Sequence, residues 1–107
     1  GEMQNENLEE VRYESFGPGV TAIIIEAITD NKNRTLNEIK RLLSQHGAKL
    51  AEQGSVLWAF SKEQSGRWQP KHTVQVSLAD KETVEKLLEA LEDHEDVQKV
   101  YTNAVNL

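Results

Sequence analysis

The chain is an acidic polypeptide of 107 residues, with a formal net charge of −6 at pH 7 and 37% hydrophobic residues. It contains no cysteine, which excludes disulfides, thiolate metal sites and cysteine nucleophiles. Its longest apolar run is too short to cross a bilayer. Because no secretory signal is visible, we predict a cytoplasmic protein without membrane contact. We predict one domain over residues 1–107, with a disordered tail at residues 1–7.

The first two predicted elements flank a tight turn. Loose alternation over residues 11–16 predicts a strand. Gly17, Pro18 and Gly19 interrupt that strand, because proline fixes φ and glycines permit a tight reversal. The β-branched run "VTAIIIEAIT", residues 20–29, then predicts a central strand covered on both faces.

A helix is predicted by "TLNEIKRLLSQHG", residues 35–47. Thr35 and Glu38 have the spacing of a capping box, in which two side chains satisfy free amides at the helix start. Gly47 stands where a left-handed C-terminal cap is expected. One apolar stripe faces a core and consists of Leu36, Ile39, Leu42 and Leu43.

The second half of the chain contains three predicted strands and a helix. Residues 54–62 predict a strand with Trp58 and Phe60 on one face, which is either a buried stripe or a surface that stacks a base. Residues 72–78 alternate cleanly and predict another strand. Asp80 is expected to cap a second helix, and "DVQKVYTN" closes as a final strand.

The order of these elements predicts an α+β fold. From residue 20 onward it reads β-α-β-β-α-β, which is the order of a ferredoxin-like sandwich. Right-handed crossovers give an antiparallel sheet with two helices on one face. The strand at residues 11–16 is then expected as an extra N-terminal strand at an edge.

Features of an enzyme or a metal protein are scarce. The three histidines lie in different elements without metal-ligand spacing, and no G-x-S-x-G elbow is present. The acidic run at residues 92–96 either offers carboxylates to a divalent cation or is the solvated end of a helix. We predict no catalytic residue, no metal and no cofactor.

The most unusual stretch is "TDNKNRT", residues 29–35, which joins the central strand to the first helix. Free amides and the helix dipole favour an anion there, and residues 15–76 hold eight bases against five acids. Asp30 or Asn31 suits a turn, whereas a solvated loop is the alternative reading for the whole stretch. We predict backbone contacts to nucleic acid from Asn31, Lys32, Asn33, Arg34, Lys40 and Arg41.

Three motifs resemble the YebC/PmpR family of probable transcriptional regulators. They are "YESFGPG" at residues 13–19, "TDNKNRT" at residues 29–35 and "GSV" at residues 54–56, and the resemblance covers residues 11–103. Val20 departs from the family pattern, which has a glycine there. The chain also lacks the family's N-terminal helical domain and the domain inserted after Ser61 and Lys62.

The resemblance implies a non-enzymatic regulator that acts on nucleic acid. Bacterial members are assigned to DNA binding and transcription control, and mitochondrial relatives to translational activation. Partners in the ribosome or the transcription machinery stay open. So do a protein-docking module that uses the sheet face or residues 11–16, and a small-molecule sensor resembling ACT domains. The sequence does not predict the oligomeric state.

Overall fold

A computed structural model describes residues 7–107, so residues 1–6 of the predicted tail lie outside the described residues. The fold is α+β, with an antiparallel sheet and two helices, as predicted. The elements are β1 Glu9–Gly17, β2 Thr21–Thr29, α1 Lys32–Gln45, β3 Lys49–Ala51, β4 Phe60–Lys62, β5 Trp68–Pro70, α2 Leu78–Asp93 and β6 Val97–Thr102.

The main sheet has four strands in the order β3-β1-β2-β6. β1 and β2 pair along their whole length, from Glu9 opposite Thr29 to Gly17 opposite Thr21. A single turn at Pro18–Val20 connects them, so this pairing closes only a very short loop and loses little chain entropy. β1 therefore lies between β3 and β2, and its predicted place at an edge is wrong.

Two predicted strands are also corrected. Of residues 54–62, only β4 is a strand, and it pairs with β5 outside the main sheet. Of residues 72–78, only Val74 makes an isolated bridge, to Ala104. In both segments side chains satisfy the backbone instead of a neighbouring strand: Val56 N–H donates to Glu14 Oε1 at 2.9 Å, and Val76 N–H donates to Asn106 Oδ1 at 3.0 Å.

Each face of the sheet is covered differently. Both helices pack on one face, as predicted, in a core of Ile23, Ile25, Ile39, Leu43, Ala48, Leu87 and Leu91. The β4–β5 hairpin and the residues before it cover part of the other face, where Phe60 and Trp68 pack with Ile24. β2 is thus buried on both sides. Trp58 does not share the burial of Phe60, because its side chain is 57% exposed.

Candidate nucleic-acid interface

The "TDNKNRT" turn begins α1 earlier than the sequence predicts. Asn31 is the N-cap residue, and its Oδ1 accepts a hydrogen bond from Arg34 N–H at 3.0 Å. The capping box of Thr35 and Glu38 is therefore wrong. Thr35 instead lies buried in the first turns of α1, where its hydroxyl bonds Thr29 Oγ1 at 2.6 Å and Asp96 Oδ2 at 2.9 Å.

Arg34 points towards carboxylates. Its guanidinium lies 3.2 Å from Asp30, 3.4 Å from Glu38 and 3.1 Å from Asp96. Asp96 belongs to the turn between α2 and β6, and its side chain is only 14% exposed. Arg34 consequently ties the start of α1 to the turn after α2. We call Arg34, Asp30, Glu38, His94 and Asp96 the Arg34 cluster.

His94 completes the Arg34 cluster. Its Nδ1 accepts the backbone N–H of Asp96 at 3.1 Å, so the proton of the neutral ring resides on Nε2, which donates to Glu38 at 2.7 Å. Ligand atoms of Glu38, His94 and Asp96 lie within 4.8 Å of one another, a spacing that a metal ion can use. Here the Arg34 guanidinium supplies the positive charge between the two carboxylates, which disfavours a second cation.

The charge of Arg34 is reinforced by its partners. Desolvation lowers the pKa of the guanidinium, but the carboxylates of Asp96, Glu38 and Asp30 raise it, and the net direction is upward. Arg34 thus stays charged and paired with these carboxylates. A phosphate would have to displace carboxylates to reach it, so its direct phosphate contact stays a prediction.

The other predicted contact residues point to solvent. Lys32, Asn33, Lys40 and Arg41 are all exposed. Lys32 lies 3.3 Å from Glu9, and both side chains are more than half exposed, so that pair contributes little to stability and exchanges readily. Among the described residues, Lys40 and Arg41 form no ion pair. Asn33 and Lys40 are two helical turns apart on one side of α1.

The predicted structural glycines occupy two tight turns. Gly19 has a φ of +72°, and a Cβ there would lie 2.9 Å from Val76. A Cβ on Gly17 would lie 2.7 Å from Thr21 Oγ1, whose hydroxyl donates to the Pro18 carbonyl at 3.1 Å. Gly47 also has a φ of +72° and follows His46, the C-cap residue of α1. Side chains at Gly17 and Gly19 would therefore disturb the β1–β2 turn.

Glu14 is a structural residue that sequence reasoning missed. It is 2% exposed, and its carboxylate accepts hydrogen bonds from Gly54 N–H at 2.7 Å and Val56 N–H at 2.9 Å. This contact joins the "YESFGPG" and "GSV" motifs. Both motifs resemble the YebC/PmpR family, and this was the only sequence signal that linked them.

A groove on the sheet face opposite the helices was also missed. It encloses about 500 Å³ and combines three exposed cations: Arg12 of β1, Lys62 of β4 and Lys99 of β6. In register, Arg12 faces Glu26 of β2, which in turn faces Lys99. We call it the sheet-face groove. No local motif announces it, because its cations come from three distant segments.

Comparison with protein families decides the relationship of this chain. The family model described as "TACO1/YebC second and third domain" matches residues 8–65 and 61–104. The chain belongs to the TACO1/YebC family. The resemblance inferred from the three motifs is thereby confirmed.

Relatives of this TACO1/YebC chain are named as regulators. It is 34% identical over 163 residues to a "Probable transcriptional regulatory protein" from Thermoanaerobacter pseudethanolicus, covering 96% of this chain and 66% of the relative. A protein of the same description from Chloroherpeton thalassium is 43% identical over 113 residues, covering 100% of this chain and 43% of the relative. The chain thus spans less than two thirds of these curated relatives.

A crystal structure of another protein has the same fold. The crystal structure of a conserved hypothetical protein, Aq1575, from Aquifex aeolicus superimposes with a TM-score of 0.85 at 24% identity, covering 92% of this chain and 65% of that one. At this identity the likeness establishes the fold.

The alignment with the Thermoanaerobacter relative is longer than this TACO1/YebC chain. The Thermoanaerobacter alignment runs over 163 residues, more than the 107 of this chain, so that relative has additional residues within the aligned region. The two matched segments meet at residues 61–65. These residues run from β4 into the tip of the β4–β5 hairpin, which agrees with an absent insertion after Ser61 and Lys62.

Proposed function

We propose that this chain is a non-enzymatic regulator of gene expression that contacts a nucleic-acid backbone through the outer face of α1. Membership of a family whose relatives are named as probable transcriptional regulators carries this proposal. Lys32, Asn33, Lys40 and Arg41 make the contacts, and Asn31 and Arg34 hold the turn that presents them. Backbone contacts of this type position a protein without reading bases.

The electrostatics of α1 support this role. The contact residues are exposed, and the weak Lys32–Glu9 pair can open for a phosphate. α2 has two bases, Lys81 and Lys86, against six acids: Asp80, Glu82, Glu85, Glu89, Glu92 and Asp93. α2 packs on the same face of the sheet as α1, so its repulsion of a polyanion restricts contact on that face to the outer side of α1.

Fluorescence anisotropy against short DNA and RNA at several salt concentrations tests the α1 surface. We expect Lys40→Gln/Arg41→Gln to weaken binding to all sequences and to reduce the salt slope by about two, one for each lost phosphate contact. Lys81→Gln/Lys86→Gln on α2 is the matched control, since it removes the same charge elsewhere. Equal weakening in both double variants, or no binding at low salt, would contradict the proposal.

A second candidate function is docking to a protein of the ribosome or the transcription machinery. β3 pairs only with Glu14–Phe16 of β1, so among the described residues the β1 edge at residues 9–13 has no partner strand on that side. A groove of about 480 Å³ runs beside it, lined in part by Tyr13, Leu36 and Leu50. An extended peptide can add to such an edge through backbone hydrogen bonds. Pull-down by a protein partner without salt-dependent binding to naked nucleic acid would favour docking.

A further inference from the structure

The sheet-face groove holds cations that the α1 surface does not use. We propose that this groove binds the phosphate backbone of a single-stranded nucleic acid, a ligand class that rests on the function proposed above. Arg12, Lys62 and Lys99 contact the phosphates. The groove and α1 lie on opposite faces of the sheet, so the two surfaces are separate and can be tested separately.

The three groove cations are available to a ligand. Among the described residues, none of them forms an ion pair with a carboxylate. Two of them are held by an aromatic ring instead: the Arg12 guanidinium lies 5.6 Å and the Lys62 ammonium 5.3 Å from the centre of the Trp68 ring. Such contacts orient a cation while leaving its hydrogen-bond donors free for phosphate oxygens.

Two carboxylates also line the groove, and they reduce its net positive charge. Glu26 lies between Arg12 and Lys99 in register, and its Oε2 accepts the Trp68 indole N–H at 3.1 Å. Glu10 is exposed at the rim. Three cations against two carboxylates leave a small positive excess, so the groove favours an anion that reaches the cations individually.

The shape of the sheet face favours a single strand over a duplex. The groove is a concavity beside the hairpin, and its floor includes the apolar side chain of Ile28. A flexible strand can lay its backbone on the cations and a base on this floor, whereas the paired bases of a duplex are not free to reach it. Single strands are usually bound in this way, by a basic groove with base-stacking surfaces.

An exposed aromatic pair lies farther along the same face. Trp58 and His72 have ring centres 5.4 Å apart. Asn103 bonds both the His72 carbonyl and Ala22 N–H, each at 2.8 Å, so the pair lies near the Ala22 end of β2. The groove begins at Glu26, about 13 Å away along the strand. An oligonucleotide of a few residues spans that distance and can stack a base on Trp58.

Binding of labelled oligonucleotides by the full chain tests this inference. The probes are oligo(U), oligo(dT) and a DNA duplex, each about ten nucleotides long, and oligo(U) against oligo(dT) separates RNA from DNA as the source of the strand. We expect Lys62→Gln/Lys99→Gln to bind single strands roughly tenfold more weakly, with Lys81→Gln/Lys86→Gln as the matched control. Trp58→Ala should bind roughly fivefold more weakly, with Leu78→Ala, another exposed apolar residue, as its control.

The two double variants distinguish the groove from the α1 surface. Loss of single-strand affinity in the groove variant, with duplex bound more weakly than single strands by the parent chain, supports the inference. Unchanged affinity in Lys62→Gln/Lys99→Gln together with weakening in Lys40→Gln/Arg41→Gln overturns the groove and leaves the proposed function standing. Unchanged affinity in Trp58→Ala, or equal affinity for the duplex, overturns the single-strand assignment. No binding to any probe overturns both proposals.

Discussion

The Arg34 cluster and the sheet-face groove use the same kinds of residue in opposite ways. In the cluster, one guanidinium lies within 3.4 Å of three carboxylates. These ion pairs connect the turn before α1 to the turn after α2. In the groove, three cations face two carboxylates without forming an ion pair among the described residues. A cation between carboxylates stabilises the fold, whereas an unpaired cation creates an attractive potential for an anion.

The comparison changes the meaning of the "TDNKNRT" motif. Its threonines, Asn31 and Arg34 form an internal network, while Lys32 and Asn33 remain outside it. A basic residue in a polar loop is therefore not by itself a binding residue. The position of its nearest carboxylate decides the role, and in this chain that carboxylate, Asp96, is distant in sequence.

The largest expected effect is on stability in the Arg34 cluster. Arg34→Ala leaves the largely buried Asp96 carboxylate without its cation, and we expect the free energy of unfolding to fall clearly below that of the parent. Arg34→Lys should recover less than half of this loss, because an ammonium cannot bridge several carboxylates. Urea denaturation followed by circular dichroism measures both.

Arg41→Ala is the matched control for Arg34→Ala, because Arg41 is exposed on the same helix. We expect its free energy of unfolding to stay within about 0.5 kcal/mol of the parent. Equal destabilisation of the two variants would remove the distinction between a paired and an unpaired cation on α1.

A smaller effect of opposite sign, a stabilisation, is expected at Tyr13, which packs against the helix-side core. Its hydroxyl is the one buried side-chain polar atom without a hydrogen-bond partner among the described residues. Tyr13→Phe removes this unsatisfied group, and we expect the free energy of unfolding to rise by about 1 kcal/mol. Unchanged or lower stability in a urea titration would show that the hydroxyl has a partner in solution.

The same variant has a pH signature. Burial, and secondarily the charge of Asp96, raise the pKa of Tyr13 above its ordinary value. Above pH of about 10 the unfolded chain therefore loses this proton first, and stability falls as pH rises towards the higher folded-state pKa. Tyr13→Phe should lose part of that alkaline fall. The part due to Tyr101, whose pKa is raised mainly by burial, should remain.

A still smaller effect sharpens the groove side of the comparison. Glu10→Gln removes a rim carboxylate while preserving its shape, and we expect oligo(U) to bind about threefold more tightly at low salt. Glu85→Gln on α2 removes the same charge far from the groove and should leave affinity nearly unchanged. A gain of equal size in both variants would indicate only a global charge effect.

The smallest expected effect lies outside both regions, at the other end of β2. Val20 has a φ of +60°, a conformation that β-branched residues rarely adopt, and its side chain is 74% exposed. Relief of strain in Val20→Gly outweighs the added chain entropy, so we expect about 0.5 kcal/mol of stabilisation by thermal unfolding. A destabilised variant would mean that Val20 packs in solution.

Hydrophobic periodicity predicted the individual elements of the fold better than it predicted which strands pair. The apolar run of β2 and the apolar stripe of α1 follow from periodicity within one element. The interior place of β1 does not, because alternation specifies the faces of a strand and leaves its neighbours open. The strand predicted at residues 72–78 failed for a related reason, since Asn106 satisfies the Val76 backbone.

The sites divide in the same way. Exposure of Lys32 and Lys40 follows from the polar side of a helix. The capture of Arg34 does not, because its partner Asp96 is 62 residues away. The groove is harder still, since register alone aligns Arg12, Glu26 and Lys99 across three strands. Sequence therefore predicts which side chains reach solvent better than it predicts what they meet.

The β4–β5 hairpin has a consequence for how this architecture accepts new material. Its ladder joins Phe60 to Pro70 and Lys62 to Trp68, and its base is fixed by Lys71 N–H donating to the Ala59 carbonyl at 2.7 Å. The two strands that enter and leave the tip of the hairpin thus lie side by side on a fixed base. Each doubling of the length between them costs only about 0.6 kcal/mol in closure entropy. The tip is therefore a natural acceptor position, where a reporter or a whole foreign module can be grafted without reworking the sheet beneath it.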